Sequence, residues 1–255
     1  MPEEESKNTW VFNTEDDGPK WPKIKYEFLY RLIVFLIGFV GIYVIAIIAE
    51  VIVLFAMPGS LDETSPDYIN ALTLVNSVQY IVLLGVLVFF LWPRLLTLVK
   101  RFKNWKHVIV GLGFGGLVIG ATIAYNAIIS QFIDLETNGN EVVAEQIITQ
   151  FPVLSFFILG IVGPVCEELT YRFGLFGMLK RKNRILAYVV SALVFGIIHF
   201  DFTGDLIVEL LNLPTYIICG AIFGAAYDLC GIEGSITAHI TNNIYAVILT
   251  LVGVE

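Results

Sequence analysis

The sequence predicts an all-α membrane protein, a polytopic bundle of about seven transmembrane spans within a range of six to eight. Three observations carry this prediction. Of 255 residues, 57% are hydrophobic and only 15% charged, against about 45–50% apolar and about 25% charged in soluble domains. The apolar residues gather into runs near the roughly 20 residues that a spanning helix needs. The lysines and arginines are confined to a few short stretches between those runs.

Residues 1–27 ("MPEEESKNTWVFNTEDDGPKWPKIKYE") read as an acidic cytoplasmic tail. They hold no short apolar stretch with a small-residue cleavage site, so a cleavable signal peptide is not expected. The apolar runs that follow lie at roughly 32–57, 71–92, 107–132, 151–179, 185–201, 211–230 and 235–253. They divide into N-terminal spans, 28–135, and a C-terminal membrane core, 136–255. No repeat of solenoid length is visible. In the third run, "GLGFGGLVIG" has no strand before it, so it is not a phosphate loop. Gly111 with Gly115, and Gly116 with Gly120, have the spacing of close helix packing. In the fourth run, Pro164 follows Gly160 and Gly163, which predicts either a tolerated kink or a broken helix that opens a site.

The loops set the orientation. Five bases (Lys7, Lys20, Lys23, Lys25, Arg31) precede the first run, five (Arg94, Lys100, Arg101, Lys103, Lys106) precede the third, and four (Lys180, Arg181, Lys182, Arg184) follow the fourth. The loops at 58–70, 133–150 and 202–210 carry acids and no base. Bases mark the cytoplasmic side, so the N-terminus is expected inside, with strict alternation after it. The net charge of −8 argues against a nucleic-acid partner. Cys166, Cys219 and Cys230 fall in or beside apolar runs with no metal or disulfide spacing, and read as inert buried thiols.

One base is left over. Arg172 sits inside the fourth run with Glu167 and Glu168, where a charge costs roughly 2.5–3.5 kcal/mol on insertion scales. Glu168 is four residues before Arg172, in the favoured order for an ion pair. Glu167 then points about 100° away and is the unpaired acid. His199 and Glu167 lie at similar distances in sequence from the basic loop, so the two fall at matching depth. His239, with Asn243 four residues on, falls too shallow unless the "DLCGIEGS" connection is recessed below the surface. His107, beside a basic loop, reads as interfacial. Glu50, Asn76, Gln79 and Asn126 are candidate helix contacts or cavity residues, and Glu209 reads as interfacial.

An unpaired, desolvated carboxylate beside an imidazole suits the activation of water. His239 and Asn243 offer ring and amide N–H groups to a developing oxyanion. Such a set describes hydrolysis of an acyl bond, a peptide bond foremost. No serine or cysteine stands in a nucleophile motif. Two histidines and a glutamate are also a zinc set, although H-E-x-x-H is absent; the reading adopted needs no cofactor, with zinc as its rival.

The residues resemble a known family. Glu167-Glu168-Leu169-Thr170-Tyr171-Arg172 is similar to the E-E-x-x-x-R motif of the CAAX protease and bacteriocin-processing family, also called Abi. Phe195-Gly196-Ile197-Ile198-His199 is similar to its F-x-x-x-H motif, and His239-Ile240-Thr241-Asn242-Asn243 to its H-x-x-x-N motif. The three occur in the family's order across roughly residues 140–250. The resemblance implies an intramembrane glutamic endopeptidase of the CAAX prenyl endopeptidase type, in the cell membrane. Glu167 would activate water with His199, His239 and Asn243 would form the oxyanion hole, and Glu168 with Arg172 would support them, as would Phe195. The partners implied are the lipid bilayer and a peptide or membrane-protein substrate: prenylated C-termini, bacteriocin leaders or other short membrane peptides. Oligomeric state is not encoded in any pattern visible here. One departure stands out: the family's glycine directly after the arginine is replaced by Phe173, and Gly174 follows. Two other classes fit the same residues, a non-catalytic membrane regulator or bacteriocin-immunity protein and a proton-coupled transporter.

Overall fold

A computed structural model describes residues 22–133 and 136–253. Most of the acidic tail, with Lys7 and Lys20, lies outside the described residues. Those described form helices and connecting turns, with no strand among them. Helix α1 is Glu27–Ala56 and α2 is Tyr68–Leu91. A 3-10 turn, Trp92–Arg94, leads into the short α3, Leu95–Arg101. Then come α4, Trp105–Ile129, and α5, Gly139–Gln150. Helix α6 is the composite Pro152–Lys180, and α7 is Arg184–Ile197. The last helical stretch, Leu206–Val252, is broken at Gly231 into α8, residues 206–230, and α9, residues 232–252.

Five of these stretches are long and apolar enough to cross a membrane. The fifth holds two passes. Phe223 and His239 lie eight residues to either side of Gly231, yet their rings stack 4.3 Å apart. A straight helix would separate them by about 24 Å. The chain therefore reverses at Gly231, whose φ of 72° and ψ of −171° belong to a region that glycine enters without a Cβ penalty. Counting both arms, and the short α7, seven apolar helices match the seven runs. This is a multi-pass membrane protein. With 14 residues, α7 is about 21 Å long, less than the roughly 30 Å hydrocarbon core.

Helix ends follow local chemistry. Asn183 accepts from Leu186 N at the start of α7, and Asp205 from Ile207 N and Val208 N at the start of α8. Asn138 accepts from Glu141 N and so begins α5, a helix not foreseen in the acidic stretch 133–150. Such side-chain oxygens satisfy amide groups that have no intrahelical partner.

Helix α6 is the buried axle of the bundle. Its Cys166, Leu169 and Phe173 join Val34 of α1, Leu83 and Leu87 of α2 and Ile232 of α9 in one apolar cluster. Its Tyr171 joins Phe195 of α7, Phe223 of α8 and Ala238 of α9 in another. Along its length, regular turns alternate with π-helix at Ile158–Val162 and Glu168–Phe176. Pro164 has no N–H to give, and the wide turns beside it re-route the backbone bonds. The helix is widened at this point, not opened. Phe173 carries a structural duty of its own, since its carbonyl accepts from Arg31 Nη1 at 2.7 Å. Gly174 next to it lets α1 cross closely, because a Cβ there would stand 3.0 Å from Phe35 Cα.

Several expectations are refined. A Cβ at Gly111 or Gly115 would come within 2.6 Å of α9 atoms, whereas nothing lies within 4 Å of one at Gly116 or Gly120. Only the first pair packs helix on helix. Gly231 to Ser235 are buried, and the basic stretches of that end reach the connection: Lys180 Nζ stands 2.6 Å from Asp228, and Arg101 Nε 2.8 Å from Glu233. His107 is buried against Glu233, at 2.8 Å, and is not an interfacial residue. Glu209 is buried too, and accepts from Gly139 N and Asp201 N. Glu50 is exposed on α1, Gln79 donates to Ile42 O, and Asn126 meets Thr215. Only Asn76 of those four lines the cavity described next.

Candidate active site

Four helices deliver the side chains. Helix α6 carries Glu167, Glu168 and Arg172; α7 carries Phe195, and His199 lies in the turn just past its end; α9 carries His239 and Asn243; α2 carries Tyr80. A cavity of about 250 Å³ is lined by Glu167, Phe195, His199, His239 and Asn243, and also by Tyr80. Glu168 and Arg172 stand behind it, each fully buried.

The hydrogen bonds order these groups. Tyr80 Oη donates to Glu167 Oε1 at 3.1 Å. The other oxygen, Glu167 Oε2, is buried and has no hydrogen-bond partner among the described residues. It lies 3.8 Å from His239 Nε2, beyond direct bonding. His239 Nδ1 is 3.0 Å from Glu168 Oε1, and Arg172 Nε is 3.4 Å from Glu168 Oε2. Arg172 Nη1 donates to Ser191 Oγ at 2.9 Å. Thus the pair read from spacing forms as an ion pair, with Arg172 Nε and Nη2 left without hydrogen-bond acceptors among the described residues. His239 bridges from that pair toward Glu167.

The partners fix the tautomers. Phe195 O lies 2.8 Å from His199 Nδ1, and a carbonyl only accepts, so Nδ1 carries the proton. The same holds for His239 Nδ1 beside the Glu168 carboxylate. Nε2 is then the basic nitrogen of a neutral ring and the second donor of a protonated one. Phe195 explains its place in the motif: its ring centroid lies 4.8 Å from that of His199 and 5.7 Å from that of His239, and the Arg172 guanidinium lies 4.8 Å from it. It is the wall that holds both imidazoles and the cation at fixed offsets. Tyr216 stacks on the far face of the arrangement, 4.5 Å from His199 and 14° from parallel. Asn243 Nδ2 donates to Leu159 O at 3.0 Å, which leaves its second N–H to other acceptors.

Among the described residues no three His, Cys, Asp or Glu side chains converge closely enough to hold a metal ion. What the set offers is one carboxylate oxygen without a hydrogen-bond partner among the described residues, two ring Nε2 atoms and an amide, gathered on one small cavity. Such a set can hold a water, take its proton and donate to an oxyanion.

The cavity also holds residues that the sequence alone did not mark. Tyr80 was one apolar-run tyrosine among several, and its role depends on α2 meeting α6. Glu141 and Tyr216 also line the cavity. A signal for the helix of Glu141 did exist: Asn138 followed three residues later by an acid is a helix-start pattern.

Residues 149–245 match the profile of a family described as type II CAAX prenyl endopeptidase Rce1-like. That stretch holds all three motifs, and the family agrees with the one they resemble. The chain is also similar to YxdF, a UPF0177 protein of Lactococcus lactis subsp. lactis, with 28% identity over 131 residues that cover 49% of this chain and 72% of that one. It is similar to MroQ, a membrane-embedded CAAX protease of Staphylococcus aureus, with 32% identity over 114 residues that cover 42% of each chain. The match thus spans less than half of MroQ. No solved structure matches this chain. The likeness supports a membrane protease, and the matched stretch supplies Glu167, Phe195, His199, His239 and Asn243 of the cavity, whereas Tyr80 and Glu141 lie outside it.

Proposed function

We propose that this chain is an intramembrane endopeptidase of the cell membrane, its N-terminus cytoplasmic, that cleaves a peptide bond in a peptide or membrane protein with an activated water. The observation that carries this reading is the state of Glu167. It is buried, its Oε1 is held by Tyr80, and its Oε2 has no hydrogen-bond partner among the described residues in a cavity shared with His199, His239 and Asn243.

The steps follow from that geometry. A water donates one hydrogen bond to Glu167 Oε2 and the other to His199 Nε2. As its oxygen attacks the scissile carbonyl carbon, its proton passes to Glu167. The carbonyl oxygen becomes an oxyanion, which accepts from Asn243 and from protonated Nε2 of His239. The Glu168 carboxylate accepts from Nδ1 and so orients the ring, and Arg172 holds Glu168 in turn. Glu167 then gives its proton to the leaving amide nitrogen as the C–N bond breaks. The carboxylate is restored with no covalent intermediate.

The test is mass-spectrometric cleavage profiling of a peptide library by purified, reconstituted protein. Wild type and Glu167→Gln run side by side, each with and without a strong chelator. Cleavage by wild type only, indifferent to chelator, is the expected result. Chelator-sensitive cleavage would move Glu167, His199 and His239 into a metal site. Cleavage equal in both proteins would remove Glu167 from the mechanism, and none by either would favour a regulator.

A further inference from the structure

Charge is divided sharply between the two ends of the bundle. Apart from Arg172, every lysine and arginine belongs to the tail, to the first helix before residue 32, or to the stretches 94–106 and 180–184. There they meet the acids of that end: Glu27, half-buried, binds Arg31 and Arg94, and buried Asp228 binds Lys180 and Arg184. The opposite end holds the acidic loops and α5, and no lysine or arginine occurs in the stretches 58–70, 133–150 and 202–210.

The cavity meets that second end. Its lining includes Asn140 and Glu141 of α5 and Tyr216 of α8 as well as Glu167 and the two histidines. Lysine and arginine are absent from that lining. Tyr216 Oη donates to Glu141 Oε1 at 2.9 Å, which fixes this carboxyl on the wall. Burial, Glu145 and Glu209 raise its pKa, and only the Tyr216 hydroxyl opposes them. The built features of the pocket are therefore an anchored acid with no lysine or arginine beside it in the lining and, on the same cavity, the buried Glu167 Oε2, which has no hydrogen-bond partner among the described residues.

We propose that Glu141, held by Tyr216, is a specificity determinant that selects substrates carrying a cationic group, a lysine or arginine side chain or a free amine, near the scissile bond. This rests on the endopeptidase reading and names the substrate class of the same site. A cation entering beside Glu141 supplies the charge that the chain omits from this wall. Coulomb attraction acts more strongly there than in bulk water, because the cavity is lined by protein and not by solvent.

The experiment compares matched peptides that differ only in a lysine or a glutamate flanking the cleaved bond. Reconstituted wild type, Glu141→Gln, Glu141→Lys and Glu145→Gln are assayed on both. Wild type is expected to favour the lysine peptide by about tenfold or more in kcat/KM, the ratio that about 1.4 kcal/mol gives. Glu141→Gln should bring the ratio near one, and Glu141→Lys should invert it. Glu145→Gln, on an exposed neighbour, should keep the wild-type ratio and so controls for simple loss of surface charge. A parallel arm measures binding of both peptides to Glu167→Gln protein. Charge-selective binding without any cleavage by wild type would remove the endopeptidase reading but keep Glu141 as a cation selector. Cleavage with the same ratio in wild type and both Glu141 variants would overturn the selector and keep the endopeptidase.

Discussion

The bundle contains the same three residue types in the same arrangement twice. At its basic end, Glu233 meets His107 Nδ1 and Arg101 Nε, both at 2.8 Å. At its centre, Glu168 meets His239 Nδ1 at 3.0 Å and Arg172 Nε at 3.4 Å. All six are buried. The first set closes on itself: each oxygen of Glu233 has a short partner, and the set clamps the Gly231 hairpin onto α3 and α4. The second stays open. Its bonds are longer, several of its polar atoms lack hydrogen bonds among the described residues, and its histidine turns Nε2 toward a second glutamate and a cavity. Residue type and burial therefore do not separate glue from chemistry. On the proposed mechanism, an acid left beside the imidazole, with space in front of it, does.

Paired substitutions put this contrast to work. The largest effect is expected at Glu167→Gln, which should lower kcat by about 10²–10⁴-fold, the usual worth of a positioned base, with little change in melting temperature. A comparable loss of stability with no specific loss of turnover would break the contrast. Glu233→Ala should do the reverse. Removing one partner of a buried pair costs about 3–5 kcal/mol, read as a fall in thermal stability in detergent, while the folded fraction keeps its turnover per molecule. Next comes Tyr80→Phe, which removes a hydrogen bond to a charged group worth about 1.5–3 kcal/mol. It should reduce kcat about ten- to a hundredfold and leave KM nearly unchanged, as expected for a positioning residue. An equal rise in KM would place Tyr80 in substrate binding. The smallest effect is expected at Ser191→Ala. Its hydroxyl accepts from Arg172, so its loss should cost about 1 kcal/mol of stability and only severalfold in rate.

Much of this was legible in the chain before any coordinates. Apolar runs report burial or lipid contact directly, so all seven helical passes were visible. The i, i+4 spacing of Glu168 and Arg172 is a local property, and their ion pair formed as read. His199, His239 and Asn243 announced themselves as polar groups that a membrane tolerates only for a reason. What stayed hidden was what depends on which helix meets which. Tyr80 is ordinary until α2 packs on α6. His107 looks interfacial until Glu233, 126 residues later, folds over it. The π segments of α6 left no periodic trace, because a wide turn keeps the same apolar composition as a regular one. The helix at Gly139–Gln150 was lost to its acids, which read as loop although Asn138 caps it.

The hairpin at Gly231 works as a ruler with two equal arms. Phe223 on one arm meets His239 on the other because the same number of residues separates each from the bend. One residue inserted between Gly231 and His239 would swing the imidazole by about 100°, off Glu168 and away from the cavity, although every side chain of the site would still be present. Four residues would return it to the correct face, but about 6 Å from its present depth. Length in this segment is therefore as strictly constrained as chemical identity. Insertions and deletions should be far better tolerated in the loop at 58–70 than across these eight residues, where the count itself sets the register of His239 against Glu168.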